Sequence, residues 1–252
     1  MSKIFGTDGI RCLVNEEPLS AETCLKISKT VAFLLKKKNS KNSRVVICKD
    51  TRLSGYLYEP LVTAGFISMG MDVILVGPLP TPAVPLMIKT LRADIGVMIT
   101  ASHNTYEYNG LKFFDRTGTK LSSSIEQKVE DIVLNNKKYC KVTNNTFVSG
   151  NARRLEDASG RYSEFLKEHI SIINPKIVIL MGSTAMETIT GINNKISNER
   201  GKWKEIILKN KTFPLMITFS PSYLIKFPEN KKHSWEDLKK IKQRIQDLNI
   251  KI

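Results

Sequence analysis

The chain has 252 residues, is 41% apolar and 25% charged, and carries a formal charge of +15. That length accommodates one or two domains, and the apolar fraction is slightly low but adequate for a packed core. Cys12, Cys24, Cys48 and Cys140 are scattered with no CxxC pair, which argues against a zinc site or a disulfide framework and suits a reducing cytosol.

The N-terminal stretch Phe5-Gly6-Thr7-Asp8-Gly9-Ile10-Arg11 describes a tight turn followed by a guanidinium able to fork onto phosphate. Residues 20 to 38 place Leu25, Ile27, Val31, Leu34 and Leu35 at helical spacing and close on three lysines, which suit a helix C-terminus. Arg44 to Cys48 reads as a strand. It runs into Lys49-Asp50-Thr51-Arg52-Leu53-Ser54-Gly55, either an anion site at a helix N-terminus or a plain Asp-Thr cap. A helix is expected over Ser54 to Met69, a strand over Asp72 to Val76 and a helix over Pro82 to Leu91. The apolar runs Ile95 to Ile99 and Leu111 to Phe114 read as strands, Ser122 to Leu134 as a helix and Asn135 to Asn145 as a polar loop. The alternation predicts an α/β fold with parallel strands and right-handed crossovers. There is no Walker phosphate loop and no GxGxxG. No secretory signal opens the chain and no apolar run approaches transmembrane length, so a cytoplasmic location with no membrane partner is expected.

The most reactive-looking segment is Thr100-Ala101-Ser102-His103-Asn104, followed by Asn109-Gly110-Leu111-Lys112. A serine hydroxyl reacts or carries a phosphoryl group only with a base, a metal or cations around it. His103 can shuttle a proton near neutrality, Lys112 can neutralise phosphate, and Asn104 and Asn109 offer amide donors. Gly110 permits tight backbone geometry. The bland alternative is a polar loop in which Ser102 or Asn104 merely caps the backbone. In the expected sheet Ser102 lies beyond a strand's carboxyl end, where open α/β sheets bind ligands.

Together FGTDGIR, KDTRLSGY, PLPTPAV, TLRADIGVMITASHN and NGLKFF, in this order, resemble the first domain of the α-D-phosphohexomutases, and the phosphoglucosamine mutases most closely. The resemblance runs from about Lys3 to Leu166. It implies a three-layer α/β/α domain over residues 1–168 in which Ser102 is the phosphorylated serine. It further implies that His103 and Lys112 transfer protons and hydrogen-bond, that Arg11 and Asn104 bind phosphate, and that Mg²⁺ is held through the Ser102 phosphate. The family moves phosphate between C6 and C1 of a hexose phosphate, so the implied substrate is a hexosamine phosphate. Two departures stand inside the motifs: Cys12 where glycine is usual, and Thr105 where proline usually follows Ser-His-Asn.

The second half does not continue that pattern. No Asp-x-Asp-x-Asp metal loop occurs anywhere in the chain. Residues 169–252 instead resemble a partial α/β segment of the family 4 uracil-DNA glycosylases. The likeness lies in the Ile172–Ala185 strand-turn-helix, in Ile196–Trp203, in Thr218–Lys226 and in the helix around Trp235–Lys239. Ser220 stands where that family has a charge-stabilising histidine, so Ser220, Pro221, Ser222 and Leu224 match a degenerate glycosylase motif, but the preferred reading of this loop is an ordinary strand-to-helix turn. Trp203 and Trp235 are expected in the core. Residues 171–252 hold 15 basic and 7 acidic residues, net +8, which permits nucleic-acid contact. The expectation is a truncated phosphoglucosamine mutase-like protein joined to a glycosylase-like piece, by fusion or gene decay. It would be inactive alone unless a partner chain supplies the missing domains. The alternative is a DNA-binding or glycosylase-like protein with a degenerate site.

Overall fold

The computed structural model describes residues 3–36, 43–135 and 149–250. The chain forms two compact units, Met1–Ser159 and Gly160–Ile252. The polar stretch 136–145 and Cys140 lie outside the described residues.

In the first unit, nine elements follow one another along the chain: β1 (Ile10–Leu13), α1 (Ala21–Leu35), β2 (Arg44–Lys49), α2 (Gly55–Ser68), β3 (Asp72–Pro78), α3 (Ala83–Leu91), β4 (Ile95–Ile99), β5 (Tyr108–Asp115) and α4 (Ser123–Leu134). A short edge strand β6 (Ala152–Arg154) completes a six-stranded sheet of order β1-β5-β4-β2-β3-β6. The expected helices and strands form within a few residues of their predicted ends. Ser20 caps α1 by accepting from the Thr23 amide, which satisfies one of the free N–H groups of the first turn.

The sheet is mixed, and this corrects the all-parallel expectation. β4, β2, β3 and β6 are parallel, but β5 runs antiparallel to β4, and β1 antiparallel to β5. The cause is the connection. Only residues 100–107 join β4 to β5, and a parallel return needs a crossover of a dozen or more residues.

Strand alternation sends Val45, Ile47, Val97, Ile99, Leu111 and Phe113 to one face, where they pack with Cys24, Ile27 and Val31 of α1, Val62 and Phe66 of α2, and Val129 of α4. On the other face α3 lies so close that a Cβ on Gly96 would strike Val84 and Ile88. The result is the expected α/β/α sandwich.

The second unit contains most of α5 (Ala158–Ile173), followed by β7 (Val178–Met181), α6 (Ser183–Thr190), α7 (Ile196–Glu199), β8 (Trp203–Leu208), β9 (Lys211–Thr218), α8 (Pro221–Lys226) and α9 (Lys231–Asp247). Its sheet has the order β7-β9-β8, with β7 parallel and β8 antiparallel to β9. Lys209 and Asn210, both at positive φ, turn the β8–β9 hairpin, the geometry a two-residue connection requires. Val178, Leu180, Leu215 and Ile217 build its core with Met186 and Ile189. A buried ion pair fixes α9: Arg200 donates to both oxygens of fully buried Asp237, which also accepts from Thr218 Oγ1 at 2.8 Å. Trp235, expected inside, is 61% exposed on α9, because Ser234, Asp237 and Ile241 take the buried positions of that helix. Trp203 is half-buried beneath the Arg244 guanidinium.

Candidate functional site

The loop bearing Ser102 leaves β4 at its carboxyl end and is fastened at its base. The Thr100 amide donates to Gly110 O at 3.0 Å, and the Asp50 amide to Ile99 O at 3.0 Å. Gly110 is obligatory there: a Cβ would collide with Ile10 O and lie 2.7 Å from Thr100 O, so glycine lets the loop base and β1 close on the same point. Gly9, at φ +88, is held similarly, its Cβ position 2.6 Å from Leu111 O.

Ser102 itself sits at φ +57, a left-handed conformation that costs a non-glycine residue about 1 kcal/mol or more and is found where surroundings enforce it. Its amide donates to Thr100 Oγ1 at 2.9 Å, and Thr100 Oγ1 donates to Asp50 Oδ2 at 2.7 Å. Ser102 and His103 are exposed, so the hydroxyl is reachable by a ligand.

The main enforcing group is Arg52. Its Nε donates to Asp50 Oδ2 at 2.9 Å. One terminal nitrogen donates to Thr105 O and to Tyr108 O (3.1 Å), the other to Ser102 O (3.1 Å) and Asn104 O (2.7 Å). All five guanidinium N–H groups are thus engaged. Asp50 does not cap α2, whose N-cap is Ser54. It instead accepts from the Arg52 amide at 3.0 Å and orients the clamp. From sequence, Asp50 and Arg52 read only as part of an anion site or a cap, not as a clamp on the serine loop. The signal was there in a strand that ends in alternating charge directly beside the serine loop.

The N-terminal turn supplies the other wall. Arg11 donates to Asn104 Oδ1 at 3.0 Å, and Lys112 Nζ donates to Asp8 Oδ2 at 2.5 Å, with the Arg11 guanidinium 3.7 Å from the same oxygen. Register explains the convergence, since Arg11 faces Gly110 across the β1–β5 ladder. Asp8, read from sequence only as part of a turn, is the carboxylate that holds both cations. A cleft of about 430 Å³ beside them is lined by Thr7, Asp8, Gly9 and Arg11.

The structure thus brings Arg11, Asn104, Lys112 and the Ser102 loop into one neighbourhood. It removes Asn109 from it: that side chain is fully buried, donating to Ser54 Oγ at 2.7 Å and accepting from the Gly110 amide at 2.8 Å, so it braces the loop and offers no free amide. His103 makes no hydrogen bond among the described residues. Of the two departures from the family pattern, Cys12 is accommodated because it lies in β1, paired with Asn109, and is not at positive φ. Thr105 is exposed and gives its carbonyl to Arg52.

The described residues do not build a magnesium site. No group of three His, Cys, Asp or Glu among them is placed to hold a metal; Asp50 and Asp8 are already paired with cations, and the Glu107 carboxylate accepts from the Thr105 and Tyr106 side chains. Among the same residues, no helix is long and apolar enough to cross a membrane. In the second unit Ser220 is the N-cap of α8. Its hydroxyl accepts from the Tyr223 amide at 3.3 Å and lies 3.2 Å from Ser222 Oγ. Pro221 and Ser222 are exposed and Leu224 half-buried.

Residues 2–140 match the family model "Phosphoglucomutase/phosphomannomutase, alpha/beta/alpha domain I", and residues 89–239 that of the uracil DNA glycosylase superfamily. Among curated proteins, the chain is 51% identical over 165 residues to the phosphoglucosamine mutase of Paramagnetospirillum magneticum, which covers 66% of this chain and 36% of that one. It is 42% identical over 196 residues to that of Thermodesulfovibrio yellowstonii, covering 77% and 42% respectively. The chain therefore spans less than half the length of these relatives. A crystal structure of a phosphoglucomutase/phosphomannomutase family protein from Burkholderia thailandensis shares the fold, with a TM-score of 0.57 at 22% identity over 71% of this chain and 38% of that one.

Proposed function

The chain belongs to the phosphoglucomutase/phosphomannomutase family through its α/β/α domain I, and to the uracil DNA glycosylase superfamily through residues 89–239; on that footing we propose that its first unit is a phosphoryl carrier working through Ser102. The hydroxyl accepts a phosphoryl group from a hexose bisphosphate and returns it to a hexosamine monophosphate, the half-reactions that together interconvert glucosamine 6-phosphate and glucosamine 1-phosphate. The observation that supports this is the exposed serine held in a left-handed conformation by Asp50 and Arg52, beside Arg11 and Lys112. Phosphoryl transfer asks mainly for positioning and charge stabilisation, and those are what this loop and its cations provide. His103, exposed and next to the serine, is the proton carrier, and Lys112 and Arg11 turn from Asp8 to the phosphoryl oxygens.

Magnesium belongs to this reaction as a counter-charge to the phosphoserine. The described residues do not supply its ligands, so the chain alone is expected to take up a phosphoryl group slowly and to turn over no sugar. A partner chain bearing the metal ligands and a sugar pocket would complete the site, and the place of action would be the cytoplasm. The test is intact-mass measurement after incubation with glucosamine 1,6-bisphosphate and Mg²⁺. The wild-type chain gains one phosphoryl group and Ser102→Ala gains none; an unmodified wild type removes the proposal.

A second reading, contact with nucleic acid through the basic second unit, draws on Trp235, which stands exposed on α9 with Lys239 Nζ 5.9 Å from its ring centre. Quenching of tryptophan fluorescence by single-stranded DNA, weakening steeply with salt, would support it. Absence of quenching at low salt would remove it.

A further inference from the structure

The way Arg52 is spent has a consequence for the opposite side of the loop. Its terminal nitrogens hold the carbonyls of Ser102, Asn104 and Thr105. In a planar trans peptide the carbonyl of one residue and the N–H of the next point in opposite directions. Turning those three carbonyls towards Arg52 therefore turns the N–H groups of His103, Thr105 and Tyr106 away from it. The three residues are exposed, and none of these amides donates to another backbone group, in contrast to Asn104, whose amide donates to Ala101 O at 3.2 Å, and Tyr108, whose amide donates to Thr105 O at 3.2 Å. Thr105 matters particularly, since a proline at that position would have no N–H to give.

We propose that Arg52 is the positioning residue of an anion cradle. Its guanidinium draws the loop carbonyls inward so that the backbone N–H groups of His103, Thr105 and Tyr106 face outward and receive phosphoryl oxygens. Outward amides, consecutive at Thr105 and Tyr106, make an anion-binding concavity without any charged side chain, and they need no reorganisation when the charge arrives. The clamp is specific to arginine. Four carbonyl contacts and one carboxylate contact use a flat fork of five donors, whereas a lysine ammonium has three donors and a single centre. This inference deepens the phosphoryl-carrier reading by assigning the groups that hold the transferred phosphate.

The test is titration of the full-length ¹⁵N-labelled chain with inorganic phosphate, reading each amide by NMR, alongside the rate of Ser102 phosphorylation by mass. In the wild type the His103, Thr105 and Tyr106 amides shift together with one dissociation constant. Arg52→Lys weakens that constant by roughly tenfold or more, while the dispersion of the remaining amides shows an intact fold. Thr105→Pro, which removes one donor and leaves Arg52 in place, weakens it by a smaller factor. Wild-type amides that do not respond to phosphate, or an Arg52→Lys chain that binds as tightly as wild type, overturn the inference. The two claims fail separately. A wild type that is phosphorylated while its cradle amides stay silent sinks the cradle and leaves the carrier. A wild type whose amides respond but whose serine is never phosphorylated sinks the carrier and leaves the cradle.

Discussion

Replacing Gly110 by alanine tests whether the loop base and the N-terminal strand are locked together. The new methyl carbon would collide with Ile10 O and stand 2.7 Å from Thr100 O. Both are backbone atoms inside or beside the sheet, so no side chain can swing away. Overpacking of this kind costs about 1–3 kcal/mol, and the upper end applies because the clash is with backbone on two sides. For a unit the size of residues 1–159, about 3 kcal/mol corresponds to a fall of roughly 6–12 °C in melting temperature. Gly160→Ala is the control: nothing lies within 4 Å of its Cβ position and it sits in α5, so it should gain up to about 1 kcal/mol. The assay is thermal melting by circular dichroism, with tryptophan fluorescence as an internal reference, because the chain's two tryptophans are both in the second unit. The dichroism transition that tryptophan does not report should fall for Gly110→Ala. A Gly110→Ala protein that melts within about 1 °C of wild type would refute the close approach of β1, β5 and the Ser102 loop.

In the second unit, Asp237→Ala leaves the Arg200 guanidinium, whose side chain is 14% exposed, without its carboxylate. Breaking such a pair costs about 3–5 kcal/mol, and the loss should appear as an earlier tryptophan-detected melt. Asp115 shows a pH dependence of known sign. Partial burial raises its pKa, but hydrogen bonds from Thr117 and the Thr119 amide outweigh this and hold the carboxyl below its ordinary value. A depressed carboxylate stabilises the fold above its ordinary pKa, and that contribution disappears as pH falls through the folded value. Melting temperature against pH should therefore fall less steeply below about pH 4 in Asp115→Asn than in wild type. Burial pushes both Cys24 and Cys48 up to about 12, leaving about one thiolate in ten thousand at pH 8. Peptide mapping after brief alkylation of the native chain should find both unmodified, and labelled Cys48 would contradict its place in the sheet.

Most of the first unit was legible in its residues because periodicity and punctuation agree there. The β2, β3 and β4 runs are short, apolar and bounded by turn residues, and the helices between them carry caps or apolar stripes. The antiparallel return of β5 was legible too, in the shortness of the connection after Ile99, but alternation of strand and helix masked it. β1 and β6 are short strands, at four and three residues, and depend on partners distant in sequence, so local pattern does not announce them. At the site, the reactive types stand in one segment, which makes that segment conspicuous in the sequence. Asp8 and Arg52 act through residues about 100 and 50 positions away, and only the folded ladder reveals those pairings. Asn109 and Trp235 were misplaced for the same reason: a polar side chain can be buried by two good hydrogen bonds, and a tryptophan can be left outside when a helix buries a different stripe.

The measurement that bears most directly on the central claim is phosphopeptide mapping of the wild-type chain after exposure to glucosamine 1,6-bisphosphate and Mg²⁺. The account predicts phosphate on Ser102 and on no other hydroxyl. Phosphate found on another serine, or a Ser102 peptide that never gains mass, would contradict it.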